Sequence, residues 1–216
     1  MNETHLRESK LREQMAELGK SLYDRGLAHG SAGNISVKLA DGNWLLTPTN
    51  SCLGRLDPAK ISKLDGNGKL INGDPPSKEA FLHLAMYHER AKSAAVVHLH
   101  SLHAVAVSCL AEIDAGDVFP PITAYAIMQV GKLALVPYYP PGDQSLADAV
   151  RKLAGKHHAV LLANHGPVVA GTSLNAAVNA IEELEQTAQL MLLLQGRPTR
   201  LLTAGQVAEL NQRFPS

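Results

Sequence analysis

The stretch Val96-Val97-His98-Leu99-His100-Ser101 decides the fold, because it combines a buried-strand pattern with two histidines. Residues 94–100 are apolar apart from these imidazoles, and an apolar run of this length predicts a strand. Side chains two residues apart in a strand leave the same face of the sheet. The sequence therefore predicts that His98 and His100 present two imidazoles to one point.

A third histidine lies at the end of another predicted strand, in Leu161-Leu162-Ala163-Asn164-His165-Gly166-Pro167. The glycine and proline predict a sharp turn at this point, which is a suitable place for a third ligand. Three imidazoles with an open coordination position suit a catalytic divalent cation, because a substrate oxygen takes that position. Taken alone, His98 and His100 are equally compatible with histidines that are only packed in the core or exposed.

The remaining pattern predicts helices and strands in an irregular order. Asp41-Gly42-Asn43 is typical of a hairpin turn, and Ser77 is predicted to cap a helix that follows it. The predicted helices cover 11–22, 78–91, 145–153 and 174–194, and the further strands cover 34–40, 44–47, 133–136 and 159–163. No repeat or linker interrupts the chain, which predicts a single α/β domain over residues 1–216.

Composition excludes several classes of partner. Lys plus Arg and Asp plus Glu number 20 each, so no excess positive charge is available for nucleic acid. The uncharged run 94–111 carries three histidines and two serines, which argues against a membrane span there. The charged start is unlike a secretory signal, and two cysteines without CxxC spacing are typical of a reducing cytoplasm. At 216 residues the chain can bury a core without a metal, so a bound metal is expected to be functional.

Three segments offer neutral hydrogen-bond donors that suit a phosphate. They are Gly30-Ser31-Ala32-Gly33-Asn34, Thr47-Pro48-Thr49-Asn50-Ser51 and the predicted helix start at Ser77. On pattern alone, the first segment is better explained as a glycine-rich turn without a ligand. Glu79 is either an ordinary acid at a helix start or a carboxylate beside the metal.

Five motifs, taken in chain order, resemble the motif series of the class II aldolase and adducin family. They are Ser31-Ala32-Gly33-Asn34, Thr47-Pro48-Thr49, Pro76-Ser77-Lys78-Glu79, His98-Leu99-His100 and Asn164-His165-Gly166. The resemblance covers nearly the whole chain. It implies a three-layer fold in which helices flank a central, mainly antiparallel sheet.

The resemblance also implies roles for particular residues. Zinc, or another divalent ion such as manganese or cobalt, is expected on His98, His100 and His165. Glu79 is then an acid/base that also approaches the metal. The residues that fall where the family binds phosphate are Ser31, Asn34, Thr49, Asn50 and Ser77. Tyr125 falls where a tyrosine reaches the active site of a neighbouring subunit, which implies a homotetramer.

The substrate is indicated by a departure from the fuculose phosphate aldolases, which read Pro-Ser-Ser-Glu where this chain reads Pro-Ser-Lys-Glu. The Ser-Lys-Glu form resembles the branch that decarboxylates 3-oxo-tetronate 4-phosphates to dihydroxyacetone phosphate and carbon dioxide through a metal-stabilised enediolate. Lys78 is then expected to meet a substrate anion, unless it is simply an exposed lysine. The alternatives are a sugar-phosphate aldolase, a methylthioribulose-phosphate type dehydratase and an adducin-like interaction domain without catalysis.

Overall fold

Eight strands form one sheet in the computed structural model, which describes residues 3–140 and 142–214. The strands are β1 (Asn34–Lys38), β2 (Trp44–Leu46), β3 (Ser62–Leu64), β4 (Leu70–Asn72), β5 (Ala95–His98), β6 (Ala134–Val136), β7 (Ala159–Leu162) and β8 (Gly166–Gly171). Their spatial order is β4-β3-β2-β1-β5-β8-β7-β6. Only β6 and β7 pair in parallel, so the predicted mainly antiparallel sheet is confirmed.

Helices cover both faces of this sheet. They are α1 (Glu3–Asp24), α2 (Ala80–Glu89), α3 (Leu102–Ser108), α4 (Ser145–Ala154), α5 (Leu174–Leu194) and α6 (Ala204–Arg213), with a π-helical turn at Ala126–Val130. The core on one face includes side chains of α1, α3 and α5, and the core on the other face includes those of α2 and α4. The predicted three-layer α/β fold is therefore confirmed. Within the described ranges, no helix combines the length and the apolar character that crossing a bilayer requires.

Strand β5 lies in the middle of the sheet and divides its side chains between the two cores. Ala95 and Val97 belong to the core under α1, α3 and α5, whereas Val96 belongs to the core under α2 and α4. Alternation along the strand places His98 on the same face as Val96. The last residue of β5 thus lies on the side of the sheet that α2 covers.

Helix α2 begins later than predicted, and Ser77 does not cap it. The helix starts at Ala80 with Glu79 in the N-cap position, and Ser77 Oγ accepts a 3.3 Å hydrogen bond from the Glu79 N–H instead. The cause is pairing between segments 75–77 and 47–49, because Ser77 donates its N–H to Thr47 O and Thr49 donates to Pro75 O. This pairing keeps the chain extended as far as Ser77, and a turn over residues 78–79 then leads into the helix.

The turn between β7 and β8 also differs from the prediction, which assigned it to Gly166-Pro167. Both residues lie in β8, where they pair with β7. The chain reverses direction at Asn164, which has a φ of 55° and so adopts the left-handed conformation. Asparagine adopts this conformation more readily than most residues. His165 consequently lies in the turn itself, at the end of a tight hairpin.

Candidate metal centre

Four side chains from distant parts of the chain converge at the end of β5. Glu79, His98, His100 and His165 each offer one ligand atom, and these atoms all lie within 4.8 Å of one another. The Nε2 atoms of His98 and His100 are 3.1 Å apart, and His165 Nε2 is 3.2 Å from Glu79 Oε1. These are the four residues that the sequence resemblance implied as a ligand set.

The two histidines of the HxH motif do not share a strand as predicted, because β5 ends at His98. The chain nevertheless stays attached to β8, since the Leu99 N–H donates to Pro167 O at 3.3 Å. Gly166 packs directly against Leu99, and no side chain fits between them. Contact with β8 therefore holds His100 beside His98 beyond the end of the strand.

Helix α3 starts immediately after His100 and is anchored by a carboxylate from α5. Glu185 accepts the N–H groups of His103 and Ala104 at 2.9 and 2.8 Å, and it also accepts from His103 Nδ1 at 2.8 Å. These N–H groups belong to the first turn of α3 and have no partner within the helix. Glu185 thereby fixes the backbone that follows the metal-facing histidine.

His98 is held in a defined tautomer. It is fully buried, and its Nδ1 lies 2.8 Å from the carbonyl oxygen of Pro167. A carbonyl only accepts, so Nδ1 carries the hydrogen and the Nε2 lone pair faces the other imidazoles. A backbone carbonyl behind a ligating histidine is a common second contact at metal sites, because it orients the ring and raises its basicity.

The environment favours neutral imidazoles. Burial is the main cause that lowers the pKa of His98 and of His100, the latter to about 3. The neighbouring imidazoles of His98 and His165 add to the effect at His100, because a proton on either ring would repel one on His100. Only a neutral imidazole offers a lone pair to a cation, so both rings are ready to bind one at neutral pH.

Glu79 is kept as a carboxylate. Burial opposes its ionisation, but the electrostatic interaction with His98 and hydrogen bonds from His165 and Asn34 outweigh burial and lower the pKa of Glu79. Asn34 Nδ2 donates to Glu79 Oε2 at 2.7 Å, whereas Oε1 faces His165. Three imidazole nitrogens and one carboxylate oxygen match the donor set of a catalytic zinc or a similar divalent ion.

Asn34 lies behind Glu79 rather than in an open pocket. The side chain is buried, its Oδ1 is 2.5 Å from His83 Nε2, and one of its N–H groups is used by Glu79. An amide carries two N–H groups, so one of them is not used by Glu79. Sequence reasoning missed His83, although its position four residues after Glu79 on α2 places both on one helix face.

The other residues predicted to bind phosphate lie in two places. Thr49 and Ser77 are partly buried on the paired segments 47–49 and 75–77, and the second of these segments ends two residues before Glu79. Ser31 and Asn50 are exposed, and their side chains make no hydrogen bond with a described residue. The loop of Ser31 reaches the centre through Gly33, whose Cα packs against the His98 carbonyl.

Lys78 and Tyr125 stand apart from the converging side chains. Lys78 is exposed and makes no ion pair with any described residue. Tyr125 is 64% exposed and borders a cleft of about 690 Å³ together with Leu102, His103 and residues of α5. Within one chain, Tyr125 is thus not among the residues that face the four ligands.

Comparison with known proteins gives a consistent picture. The sequence profile described as the class II aldolase and adducin N-terminal domain matches residues 13–192. A 3-oxo-tetronate 4-phosphate decarboxylase of Escherichia coli (strain K12) is 52% identical over 203 residues, which are 94% of this chain and 96% of the relative. An L-fuculose phosphate aldolase of Methanococcus maripaludis is 36% identical over 182 residues, covering 84% and 96%. The crystal structure of YgbL from Escherichia coli superposes with a TM-score of 0.92 at 51% identity, covering 94% of this chain and 98% of that one.

Proposed function

The chain belongs to the class II aldolase and adducin family, and we propose that it decarboxylates a 3-oxo-tetronate 4-phosphate to dihydroxyacetone phosphate and carbon dioxide. One observation carries this proposal. This chain is 52% identical to a decarboxylase of that name over almost its full length. It also carries the complete cluster of Glu79, His98, His100 and His165.

The reaction breaks one carbon–carbon bond and consumes one proton. The carboxylate at C1 leaves as carbon dioxide, and the electron pair of the C1–C2 bond moves towards the C3 carbonyl oxygen. Carbon C2 then takes a proton, which gives dihydroxyacetone phosphate. A divalent cation on the three imidazoles would supply positive charge that stabilises the negative charge developing on the substrate oxygens.

Glu79 is the proposed carrier of the proton. Since it is a carboxylate at rest, it must first accept a proton from solvent or from the substrate hydroxyl before it delivers one to C2. The hydrogen bond from Asn34 engages Oε2 and leaves Oε1 on the side of the imidazoles. Proton transfer by a positioned side chain typically contributes on the order of 10²–10⁴-fold to a rate.

The substrate's two anionic ends need separate partners. We assign the phosphate to hydroxyl and amide groups of the three donor segments, namely Ser31, Asn34, Thr49, Asn50 and Ser77. Lys78, exposed at the edge of the same segment, is the proposed partner of a substrate anion. An aldolase substrate lacks the second anion, which is why a lysine here favours the decarboxylase.

We further propose a homotetramer in which Tyr125 completes the active site of a neighbouring subunit. Its support is the 64% exposure of Tyr125 beside Leu102, which is 71% exposed, on a cleft away from its own metal centre. Mixing inactive Tyr125→Phe and His98→Ala protomers should restore part of the activity, because some sites then hold both intact residues. Verified mixed oligomers without recovery would exclude this role.

Zinc is the proposed resident metal, with manganese and cobalt as alternatives, because three imidazoles and one carboxylate suit these ions. Elemental analysis of protein purified without chelator identifies the metal, and a metal-free protein would favour an adducin-like interaction domain. The cytoplasm is the proposed compartment, where the free thiols of Cys52 and Cys109 stay reduced.

The decisive experiment compares two substrates on the metal-loaded protein. Release of carbon dioxide and dihydroxyacetone phosphate from a 3-oxo-tetronate 4-phosphate is expected, with little cleavage of L-fuculose 1-phosphate. The sugar-phosphate aldolase is the second candidate because of the 36% identity to such an enzyme. Efficient cleavage of the ketose phosphate without carbon dioxide release would establish that candidate and reject the decarboxylase.

A further inference from the structure

A continuous row of buried hydrogen bonds runs from the metal centre into the protein interior. It begins at Glu79, which accepts from Asn34 Nδ2 at 2.7 Å, and continues from Asn34 Oδ1 to His83 Nε2 at 2.5 Å. The other nitrogen of His83, Nδ1, lies 2.7 Å from Ser36 Oγ, which in turn lies 2.8 Å from the Tyr87 hydroxyl. The row thus links five side chains between α2 and β1.

Two simple periodicities produce this arrangement. Glu79, His83 and Tyr87 follow one another at intervals of four residues, so they lie on one face of α2, with Glu79 at its N-cap. Asn34 and Ser36 are two residues apart on β1 and point to the same face of the sheet. The helix and the strand therefore present matching polar side chains to each other across an otherwise apolar core.

The donors in this row all point the same way. A carboxylate only accepts, so Asn34 must turn its N–H towards Glu79 and its carbonyl oxygen towards His83. His83 must then donate from Nε2, which leaves Nδ1 as an acceptor for the Ser36 hydroxyl. Ser36 in turn accepts from Tyr87. One orientation of each group satisfies every partner.

Burial reinforces this order. His83 is fully buried, and burial is the main cause that lowers its pKa to about 3, so the ring is neutral. Burial likewise raises the pKa of Tyr87, so its hydroxyl keeps its proton. A buried polar group without a partner costs free energy comparable to a lost hydrogen bond. Because every polar group in this row has a hydrogen-bond partner, the row is compatible with a stable core.

We propose that His83 is a positioning residue for the reaction, which fixes the Asn34 amide with its N–H towards Glu79 and so holds that carboxylate at the metal centre. Without the Nε2 donor, the amide loses one of the two partners that hold it, and only the carboxylate still favours this orientation. A less restrained amide holds the Glu79 carboxylate less firmly in place. The rate effect rests on the proposed function, whereas the amide orientation does not.

Two substitutions of His83 separate positioning from packing. In His83→Gln the side-chain amide nitrogen can take the place of Nε2, whereas in His83→Asn it stops short of Asn34. We expect kcat within about 3-fold of wild type for His83→Gln and roughly 10- to 100-fold lower for His83→Asn. KM and zinc content should stay close to wild type in both variants. Equal loss of kcat in the two variants, or equal retention, would overturn the positioning role.

The tautomer of His83 gives a readout that needs neither substrate nor metal. The measurement is a long-range ¹H–¹⁵N correlation spectrum of the metal-free wild type with ¹⁵N-labelled histidine. The signal of His83 is assigned by its absence from the spectrum of His83→Gln. We expect this signal to be that of the Nε2–H form. The Nδ1–H form, or an average of both, would overturn the proposal even if His83→Asn fails to fold. If the tautomer is as expected but no 3-oxo-tetronate 4-phosphate is decarboxylated, the proposed function fails and the amide orientation stands.

Discussion

Gly166 lies so close to Leu99 that a Cβ on residue 166 would stand 2.3 Å from the Leu99 carbonyl oxygen. This contact joins the hairpin that carries His165 to the segment that carries His98 and His100. A glycine is required here because real Cβ atoms do not approach an oxygen so closely. The geometry of three ligands therefore depends on a residue that has no side chain.

Gly166→Ala should push the two ligand-bearing segments apart. We expect a loss of roughly 1–3 kcal/mol in the free energy of unfolding and at least about 10-fold weaker zinc binding. Competition with a chromophoric chelator measures the affinity, and urea titration measures the stability. Gly155→Ala is the matched control, because residue 155 has a negative φ and open space around its Cα. Equal zinc affinity in both variants would contradict the packing argument.

Single alanine substitutions of His98, His100 and His165 should each abolish stoichiometric metal binding while the protein still unfolds cooperatively. The core is large enough to persist without the metal. Elemental analysis after gel filtration gives the metal content, and circular dichroism follows unfolding. His88→Ala, at an exposed position on α2, serves as the control. Full occupancy in any of the three variants would remove that histidine from the ligand set.

Glu79→Gln should keep most of the metal and lose turnover by on the order of 10²–10⁴-fold, because the amide cannot carry a proton. The three imidazoles remain as ligands. Steady-state rates of carbon dioxide release, measured beside metal content, test this expectation. Near-normal turnover would restrict Glu79 to a structural role at the start of α2.

Lys78→Ser should raise KM by about 3- to 10-fold and leave kcat nearly unchanged. The exposure of Lys78 limits the effect, because solvent and salt screen an exposed charge pair. The increase in KM should shrink as ionic strength rises. Lys69→Ser, another exposed lysine, is the control for a general loss of positive charge. A KM that matches this control would remove Lys78 from the substrate site.

The metal-free protein should lose stability as pH falls from about 6.5 to 4.5. His83 has a pKa of about 3 in the folded protein and an ordinary value near 6.5 when unfolded, so the unfolded state binds more protons in this window. His83 alone therefore lowers the free energy of unfolding by about 1.4 kcal/mol for each unit that the pH falls within this window. Glu79 adds to the loss only below its unfolded pKa near 4.5. Urea titrations at several pH values should show a shallower slope for His83→Gln, and an unchanged slope would contradict the assignment.

The sequence predicted those parts of the fold that depend on local periodicity. The apolar runs predicted β5, β6 and β7, and the Asp41-Gly42-Asn43 turn predicted the hairpin of β1 and β2. Strands β3 and β4 were missed because two of the three residues of β3 are polar and β4 is exposed throughout, so neither gives the apolar run of a buried strand. Strand β8 was missed because its first two residues, Gly166 and Pro167, are typical of turns.

The candidate site was predicted unevenly for a related reason. His98, His100 and His165 stand in motifs that can be recognised along the chain, and the structure brings them together with Glu79. His83 stands in an apolar helix, where a histidine is indistinguishable from an ordinary core residue. Its partners Asn34 and Ser36 lie 49 and 47 positions away and belong to another element. The spacing within α2 and within β1 does not reveal which residue of the helix pairs with which residue of the strand.

The wide spacing of the four ligands along the chain also sets the moment at which the centre comes into being during synthesis. The ligands begin at Glu79 and end at His165. A nascent chain that has not yet emerged as far as His165 holds at most three of them, and the contact between Gly166 and Leu99 is still missing. Tight capture of the cation must therefore wait until most of the polypeptide has left the ribosome, and a truncated translation product would sequester little metal from the cell.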